Sequence, residues 1–343
     1  MSGIQNIAAR GIQNIAVIGG GSWGTALAHI FSQTGRDVVL FARDAGLAEK
    51  INTTHENPTY LAGAKLDAKL KATADMAGAV KNAQLVMLVT PTQYLRETLK
   101  KLAPLLPAGV PLLNASKGIE MTTGYLLSEV AAEIVPDHPY AAFSGPTFAT
   151  EAVRGLPTAI TLATSADEKT AQSWALAVRG KSFRPYLSDD VVGVEIAGAL
   201  KNVIAIACGI VEGRGLGQNA KAAVMTRGIA EIRRLGVKRG AKPETFLGLA
   251  GLGDLTLTCS SMTSRNYSLG FELGQGKPLK QILAERKSVS EGVTTSWAVA
   301  DYAAAHDVEM PICLAVKEIL HSGANVDDIV LGLLSRDLKN ENS

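Results

Sequence analysis

The sequence predicts an α/β domain built on a mostly parallel sheet covered on both faces, followed by an all-α domain. Three observations carry this expectation. Short apolar runs rich in β-branched residues alternate with helical stretches up to about Ser188. A glycine-rich turn, GGGSWG at 19–24, joins the first of these runs to the first helix. Beyond Asp189 the strand signals almost vanish, and long alanine-rich helical patterns take over.

IAVI (15–18) is a short buried strand, and Ser22 to about Thr34 form a helix that Gly35 ends. DVVLFAR (37–43) is a second strand, and QLVMLVT (84–90) is a third that Pro91 stops. VPLLNAS (110–116), YAAFSG (140–145), TAITLAT (158–164) and FRPYLS (183–188) follow, with helices at 122–135 and 167–178. The second half reads as helices over 189–213, 219–236, 294–307 and 310–323. The boundary therefore falls near 188–190. GIQNIA occurs at 3–8 and again at 11–16; the second copy leads into the first strand, and the first belongs to an extension over 1–13.

At 343 residues, two domains are expected. A formal net charge of +2, without a concentrated basic stripe, argues against a nucleic-acid partner. Cys208, Cys259 and Cys313 are odd in number, far apart and outside any CxxC, which suits a reduced, cytoplasmic chain. No uninterrupted apolar run of about 18 residues marks a membrane span, and the N-terminus lacks the pattern of a secretory signal. No His/Cys/Asp cluster has metal-ligand spacing, so no metal is expected. His29, His55, His138, His306 and His321 read as structural.

Gly19, Gly21 and Gly24 fit G-x-G-x-x-G between a strand and a helix. Gly19 permits the tight turn, Gly21 lets the backbone approach a pyrophosphate, and Gly24 lets the helix sit close to the strand. The helix N-terminus offers N–H groups and partial positive charge to phosphate. The first domain, 1–189, is thus a Rossmann-like dinucleotide-binding domain, and 190–343 is a helical substrate and catalytic domain. Strand two ends in Arg43, which accommodates a 2′-phosphate and favours NADP(H); Asp44 follows and leaves NAD(H) open.

Four further stretches carry chemistry. Lys117 in NASKGIE follows a buried strand, where a parallel sheet opens its ligand crevice, and is otherwise a plain loop lysine. Gly145-Pro146 turns the chain after another strand and brings Thr147 and Phe148 to the same edge. Lys201 has Gly198, Ile204, Ala205 and Cys208 as its helical neighbours; on that small apolar face it either snorkels to water or is held at a site. A desolvated lysine has a lowered pKa and can act as a base. Asp254 follows a glycine-rich turn, and Ser264-Arg265-Asn266 is either a donor fork for an oxyanion such as phosphate or a solvated polar loop.

GGGSWGTALA, SKGIE, SGPTFATE, GALKNVIAIACG, GLGDLTLTCSSMTSRNYSLG and VSEGVTTSWAV occur in that order. From about Asn14 to about Leu333 the chain resembles the bacterial-type NAD(P)-dependent glycerol-3-phosphate dehydrogenases. The resemblance implies that Ser22 and Trp23 lie against the cofactor, with Arg43 near the adenosine ribose. It implies that Lys117 serves both pockets, that Gly145 and Thr147 line the substrate side, and that Ala149 lines the cofactor side. Lys201 matches the family's proton acceptor, and Asp254 completes the catalytic group. Ser264, Arg265 and Asn266 hold the substrate, a triose phosphate, while Arg265, Val289 and Glu291 close over the cofactor. A homodimer without membrane insertion, feeding phospholipid synthesis, is also implied.

In this reading a neutral Lys201 takes the C2 hydroxyl proton of sn-glycerol 3-phosphate, and its ammonium returns it to the ketone oxygen. Burial and the charge of Lys117 lower its pKa, whereas Asp254 raises it; the sequence leaves open which prevails. Two rival readings share the first domain: a two-domain hydroxy-acid dehydrogenase, and a non-catalytic dinucleotide sensor that needs neither Lys201 nor Asp254 at a crevice.

Overall fold

The computed structural model describes residues 11–286, 290–338 and 340–341. Among these residues the first half forms one sheet of eight strands: β1 (Asn14–Ile18), β2 (Asp37–Phe41), β3 (Lys71–Thr73), β4 (Leu85–Leu88), β5 (Leu112–Asn114), β6 (Tyr140–Ser144), β7 (Thr158–Thr164) and β8 (Phe183–Ser188). Their order is β3-β2-β1-β4-β5-β6-β7-β8. Ile15 and Val17 pack on one face of β1, Ala16 and Ile18 on the other, each within a separate apolar cluster. This period-two division shows why the central strands read as unbroken apolar runs: helices cover both faces. The strand order reverses beside β1, whose neighbours β2 and β4 lie on opposite sides. A crevice opens at such a switch point, beyond the carboxyl ends of the strands.

The α/β-then-α fold class holds, with differences in detail. Every strand pair is parallel except β6–β7. β3, three residues long, carries too little pattern to be read from sequence. The helix expected over 122–135 is confined to Leu127–Ile134, because a turn at 121–124 with Gly124 at φ +72° precedes it. The helix expected over 310–323 is Pro311–Lys317 followed by a π turn at Glu318–Ser322. Across 248–274, read as a glycine-rich turn before Asp254 and then either a donor fork or a solvated polar loop, lie two helices, Asp254–Cys259 and Arg265–Gly274. The first GIQNIA copy lies outside the described residues.

The second half is organised around one helix, Val191–Gly213, buried on nearly every side. It is long and apolar enough to cross a membrane, yet 94% of its most apolar window lies inside the protein; an all-round apolar helix serves here as a core. The helix Arg265–Gly274 crosses it at backbone contact. A Cβ on Gly270 would fall 2.1 Å from the Ile206 carbonyl oxygen, and one on Gly209 2.1 Å from that of Tyr267. Only glycine permits this approach, and it brings residues 264–266 close to the middle of the central helix. The three cysteines are free and buried.

Candidate active site

The glycine turn sits at the switch point. Gly19 has φ +130°, and a Cβ there would lie 2.5 Å from the Val89 carbonyl oxygen. A Cβ on Gly24 would lie 1.9 Å from the Gly19 oxygen, so the helix Ser22–Ser32 can start only against a bare backbone. Gly20, the member between the motif positions, packs against Ala42, with a Cβ–Cβ separation that would be 2.7 Å. Gly21 differs: nothing lies within 4 Å of its added Cβ. It also occupies the N-cap position without a side-chain cap, leaving the first helical N–H groups to face an anion. The indole Nε1 of Trp23 is buried without a partner among the described residues, and its ring lies against Phe183. These features fit a bound pyrophosphate.

Sequence reading missed Asn57, which is fully buried and donates to the Gly20 carbonyl at 3.0 Å and the Thr25 hydroxyl at 2.8 Å. An isolated Asn in a turn gives no signal of this clamp. At the end of β2, Arg43 is exposed and makes no hydrogen bond or ion pair with any described residue. Asp44 caps the following helix, accepting from Gly46 N at 2.8 Å.

The chemistry-bearing cluster lies where the two halves meet. Lys117 follows β5 and reaches Asp254 Oδ2 at 2.7 Å and the Gly145 carbonyl at 3.1 Å. Lys201, from the middle of the central helix, donates to Asp254 Oδ1 and to Thr258 Oγ1, the latter at 2.9 Å. Asp254 is fully buried and so accepts from one lysine of each half. It opens its helix directly after a π turn at Leu249–Gly253, whose Gly253 lies beside Pro146. Gly198, three residues before Lys201, faces Ser144 and the stem of Lys117; a Cβ there would be 2.7 Å from Ser144 Oγ. That is the packing reason for the small face read from the sequence.

The pKa of Lys201 is lowered from 10.5 to about 8. Burial is the main cause, Asp254 opposes it, and the charge of Lys117 adds to the lowering. Burial thus outweighs the carboxylate. Thr258, one helical turn beyond Asp254, completes the coordination of Lys201 and was not singled out from the sequence.

Ser264 is the N-cap of the helix Arg265–Gly274, its Oγ accepting from Tyr267 N at 3.2 Å, with its proton left to donate. Arg265 remains exposed although protein crowds its guanidinium. Desolvation lowers its pKa and the charge of Glu291 opposes that; a guanidinium remains a cation in either case. A capped helix start with an arginine at its first position is a ready oxyanion site. The Asn266 amide is largely engaged within the protein: Nδ2 donates to Asn202 Oδ1 at 2.9 Å, and Oδ1 accepts from Gly292 N at 3.1 Å. This ties the helix start to Asn202, the neighbour of Lys201. Thr147 Oγ1 donates to the Gly145 carbonyl at 3.2 Å, and Ala149 begins the short helix Ala149–Ala152.

The end of β4 links these parts. The Val89 carbonyl abuts Gly19, the Thr90 carbonyl accepts from Ser116 Oγ at 2.6 Å, and Thr92 N donates to Glu291 Oε1 at 3.0 Å. Glu291 Oε2 is buried without a partner among the described residues, and burial raises its pKa. Val289 lies outside the described residues. Among the described residues no cluster of metal-ligating side chains occurs.

Comparison with known proteins places this geometry in context. Residues 14–171 match the family model described as the N-terminus of NAD-dependent glycerol-3-phosphate dehydrogenase, and residues 190–331 match that of its C-terminus. The chain is 53% identical over 330 residues to a Rhodospirillum rubrum protein named glycerol-3-phosphate dehydrogenase [NAD(P)+], covering 96% of this chain and 94% of that one. It is 50% identical over 329 residues to one of the same name from Parvibaculum lavamentivorans, covering 96% and 98%. The crystal structure of glycerol-3-phosphate dehydrogenase from Coxiella burnetii superposes with a TM-score of 0.91 at 36% identity, covering 95% of this chain and 99% of that one.

Proposed function

Since the chain belongs to the NAD-dependent glycerol-3-phosphate dehydrogenase family, we propose that Lys201 moves the substrate proton while Asp254 and Lys117 hold it in place. The protein is an oxidoreductase, a glycerol-3-phosphate dehydrogenase for which NAD(H) and NADP(H) both fit. Its reaction interconverts sn-glycerol 3-phosphate and dihydroxyacetone phosphate. The nicotinamide, when bound, supplies or accepts the hydride at C2.

The observation that carries the lysine assignment is the shared carboxylate: Asp254 binds Lys201 and Lys117 at the meeting of the two halves, and burial lowers the Lys201 pKa to about 8. In oxidation, neutral Lys201 accepts the C2 hydroxyl proton. In reduction, its ammonium polarises the ketone and returns the proton. Asp254 orients the amine and balances charge. Arg265 grips the substrate phosphate, helped by the Ser264 hydroxyl, the remaining Asn266 amide hydrogen and the helix N-terminus. Holding the remote phosphate fixes C2 for reaction. Lys117, Gly145 and Thr147 line the substrate side.

On the cofactor side, the open backbone at Gly21 and the uncapped helix start support pyrophosphate binding by Gly19, Gly21, Ser22, Trp23 and Gly24. Arg43, exposed just beyond β2, favours NADP(H) through the 2′-phosphate. Ala149, Arg265 and Glu291 complete the pocket. Residues 1–189 serve as the dinucleotide unit and 190–343 as the substrate unit. A cytoplasmic homodimer, without stable membrane insertion or nucleic-acid binding and serving phospholipid synthesis, accords with this reading.

The test is oxidation of NADPH and of NADH with dihydroxyacetone phosphate, beside unphosphorylated dihydroxyacetone. Turnover restricted to the phosphorylated ketone supports the phosphate assignment. Equal turnover of both ketones overturns it.

A further inference from the structure

Glu195 lies on the central helix, six residues before Lys201, and is buried. A buried carboxylate is costly unless its oxygens are satisfied. Here Oε1 accepts from Ser128 N at 3.0 Å and from the Tyr140 hydroxyl at 2.5 Å, and Oε2 accepts from Ser128 Oγ at 2.6 Å. Ser128 and Tyr140 belong to the sheet half, so this one side chain bridges the two halves.

The bonding continues from Tyr140 toward Lys117. The Tyr140 oxygen accepts from Asn114 Nδ2 at 2.9 Å, and Asn114 Oδ1 accepts from Ser116 N at 3.2 Å. Asn114 thereby shapes the turn that delivers the next residue, Lys117, to Asp254. The polarity of each link follows from the one before. An ionised Glu195 can only accept, so the Tyr140 hydroxyl must donate to it. The Tyr140 oxygen is then free to accept, which turns the Asn114 amide so that its oxygen faces Ser116.

We propose that Glu195, Tyr140 and Asn114 are positioning residues for catalysis, an oriented hydrogen-bond chain that fixes Lys117 on Asp254 from the central helix. One helix would then set both lysines, Lys201 directly and Lys117 through this chain. Burial raises the pKa of Glu195, and the hydrogen bonds from Ser128 and Tyr140 oppose that rise and favour the carboxylate. The proposal rests on the assignment of Lys117 to the catalytic cluster.

Tyr140→Phe keeps the ring and removes the bridging hydroxyl. The expected result is a loss in kcat of roughly tenfold, within the range that misplacement of a catalytic group produces, and a smaller change in KM for dihydroxyacetone phosphate. In a Lys117→Ala background the same substitution should cost nothing more, because the group it positions is gone. Asn114→Asp is a second probe: it retains an oxygen for Ser116 N but loses the donor to Tyr140, and it should reproduce the effect if Tyr140→Phe does not fold. Unchanged kcat in folded variants, or losses that multiply in the Lys117→Ala background, overturn the chain. Full kcat in Lys117→Ala alone overturns the Lys117 assignment itself, and the chain with it.

Discussion

The two halves of the molecule each send one lysine to Asp254, and they hold those lysines in different ways. Lys117 stands on a strand-end loop of the sheet half. It is bound to a backbone carbonyl as well as to the carboxylate, and its loop is tied to β4 through Ser116. Lys201 stands in the middle of a buried helix, where its remaining partner is the Thr258 hydroxyl and where burial brings its pKa to about 8. A shared carboxylate therefore does not make the two amines equivalent. Burial eases the Lys201 amine toward its neutral form and so suits it to proton transfer, while Lys117, held by two fixed acceptors, is placed to position.

Truncation of the two lysines is the strongest way to break this distinction. Lys201→Ala should lower kcat by at least about 10²-fold, the range for loss of an acid–base group. Lys201→Arg should fare no better, since an arginine keeps the charge but gives up no proton near neutral pH. Lys117→Ala should lose less in kcat. Steady-state rates in both directions decide the order, and a larger loss at Lys117 would reverse the assignments.

Arg265→Ala tests whether the helical half also holds the substrate. The loss of a charge-assisted contact predicts a fall in kcat/KM for dihydroxyacetone phosphate of roughly 10- to 100-fold, with little effect on unphosphorylated dihydroxyacetone. Equal losses for the two ketones would remove Arg265 from the phosphate site.

The pH dependence sharpens the contrast between the lysines. Lys201 is lowered to about 8, so its neutral form gains as pH rises through that value. kcat/KM for glycerol 3-phosphate oxidation should climb about tenfold per pH unit below 8 and level off above it. Reduction, which needs the ammonium, should decline above 8. The charge of Lys117 helps to lower this pKa, so Lys117→Ala should move both midpoints upward. A midpoint that stays in place would show that the two amines do not sense each other.

How much of this could be read from the sequence follows from how local each feature is. The dinucleotide turn is legible because Gly19, Gly21 and Gly24 fall within six residues at the junction of a strand and a helix; close backbone approach explains Gly19 and Gly24, and open space for a ligand suits Gly21. The small face around Lys201 was visible as a pattern, but not what fills it: Ser144 and Lys117 come from distant strand ends. Thr258, Asn202 and Asn57 carry no local signal, because an isolated polar residue in an apolar helix or a turn declares itself only through a partner far along the chain. Ser-Arg-Asn at 264–266 reads as a fork of donors, yet the fold spends most of the Asn266 amide on Asn202 and Gly292 of two other helices. The reversal at β7 was hidden for another reason, since TAITLAT has no direction of its own.

The smallest expected effect lies on the sheet half, at the far end of the cofactor crevice. Arg43 is exposed and unpaired among the described residues, so its removal frees no buried charge and should leave stability within about 0.5 kcal/mol. If it reads the 2′-phosphate, Arg43→Ala should raise KM for NADPH by up to about tenfold, the value of one exposed charge-assisted contact, and leave KM for NADH and kcat with either cofactor unchanged. Asp44 would not take over the selection: one of its oxygens already caps the next helix, so Asp44→Ala should show mainly as a loss of thermal stability. Equal rises in KM for both cofactors in Arg43→Ala would mean that the arginine meets the adenosine itself. Preference between the two dinucleotides would then arise elsewhere along the β2 edge, and the sheet half would bind cofactor without discriminating through this residue.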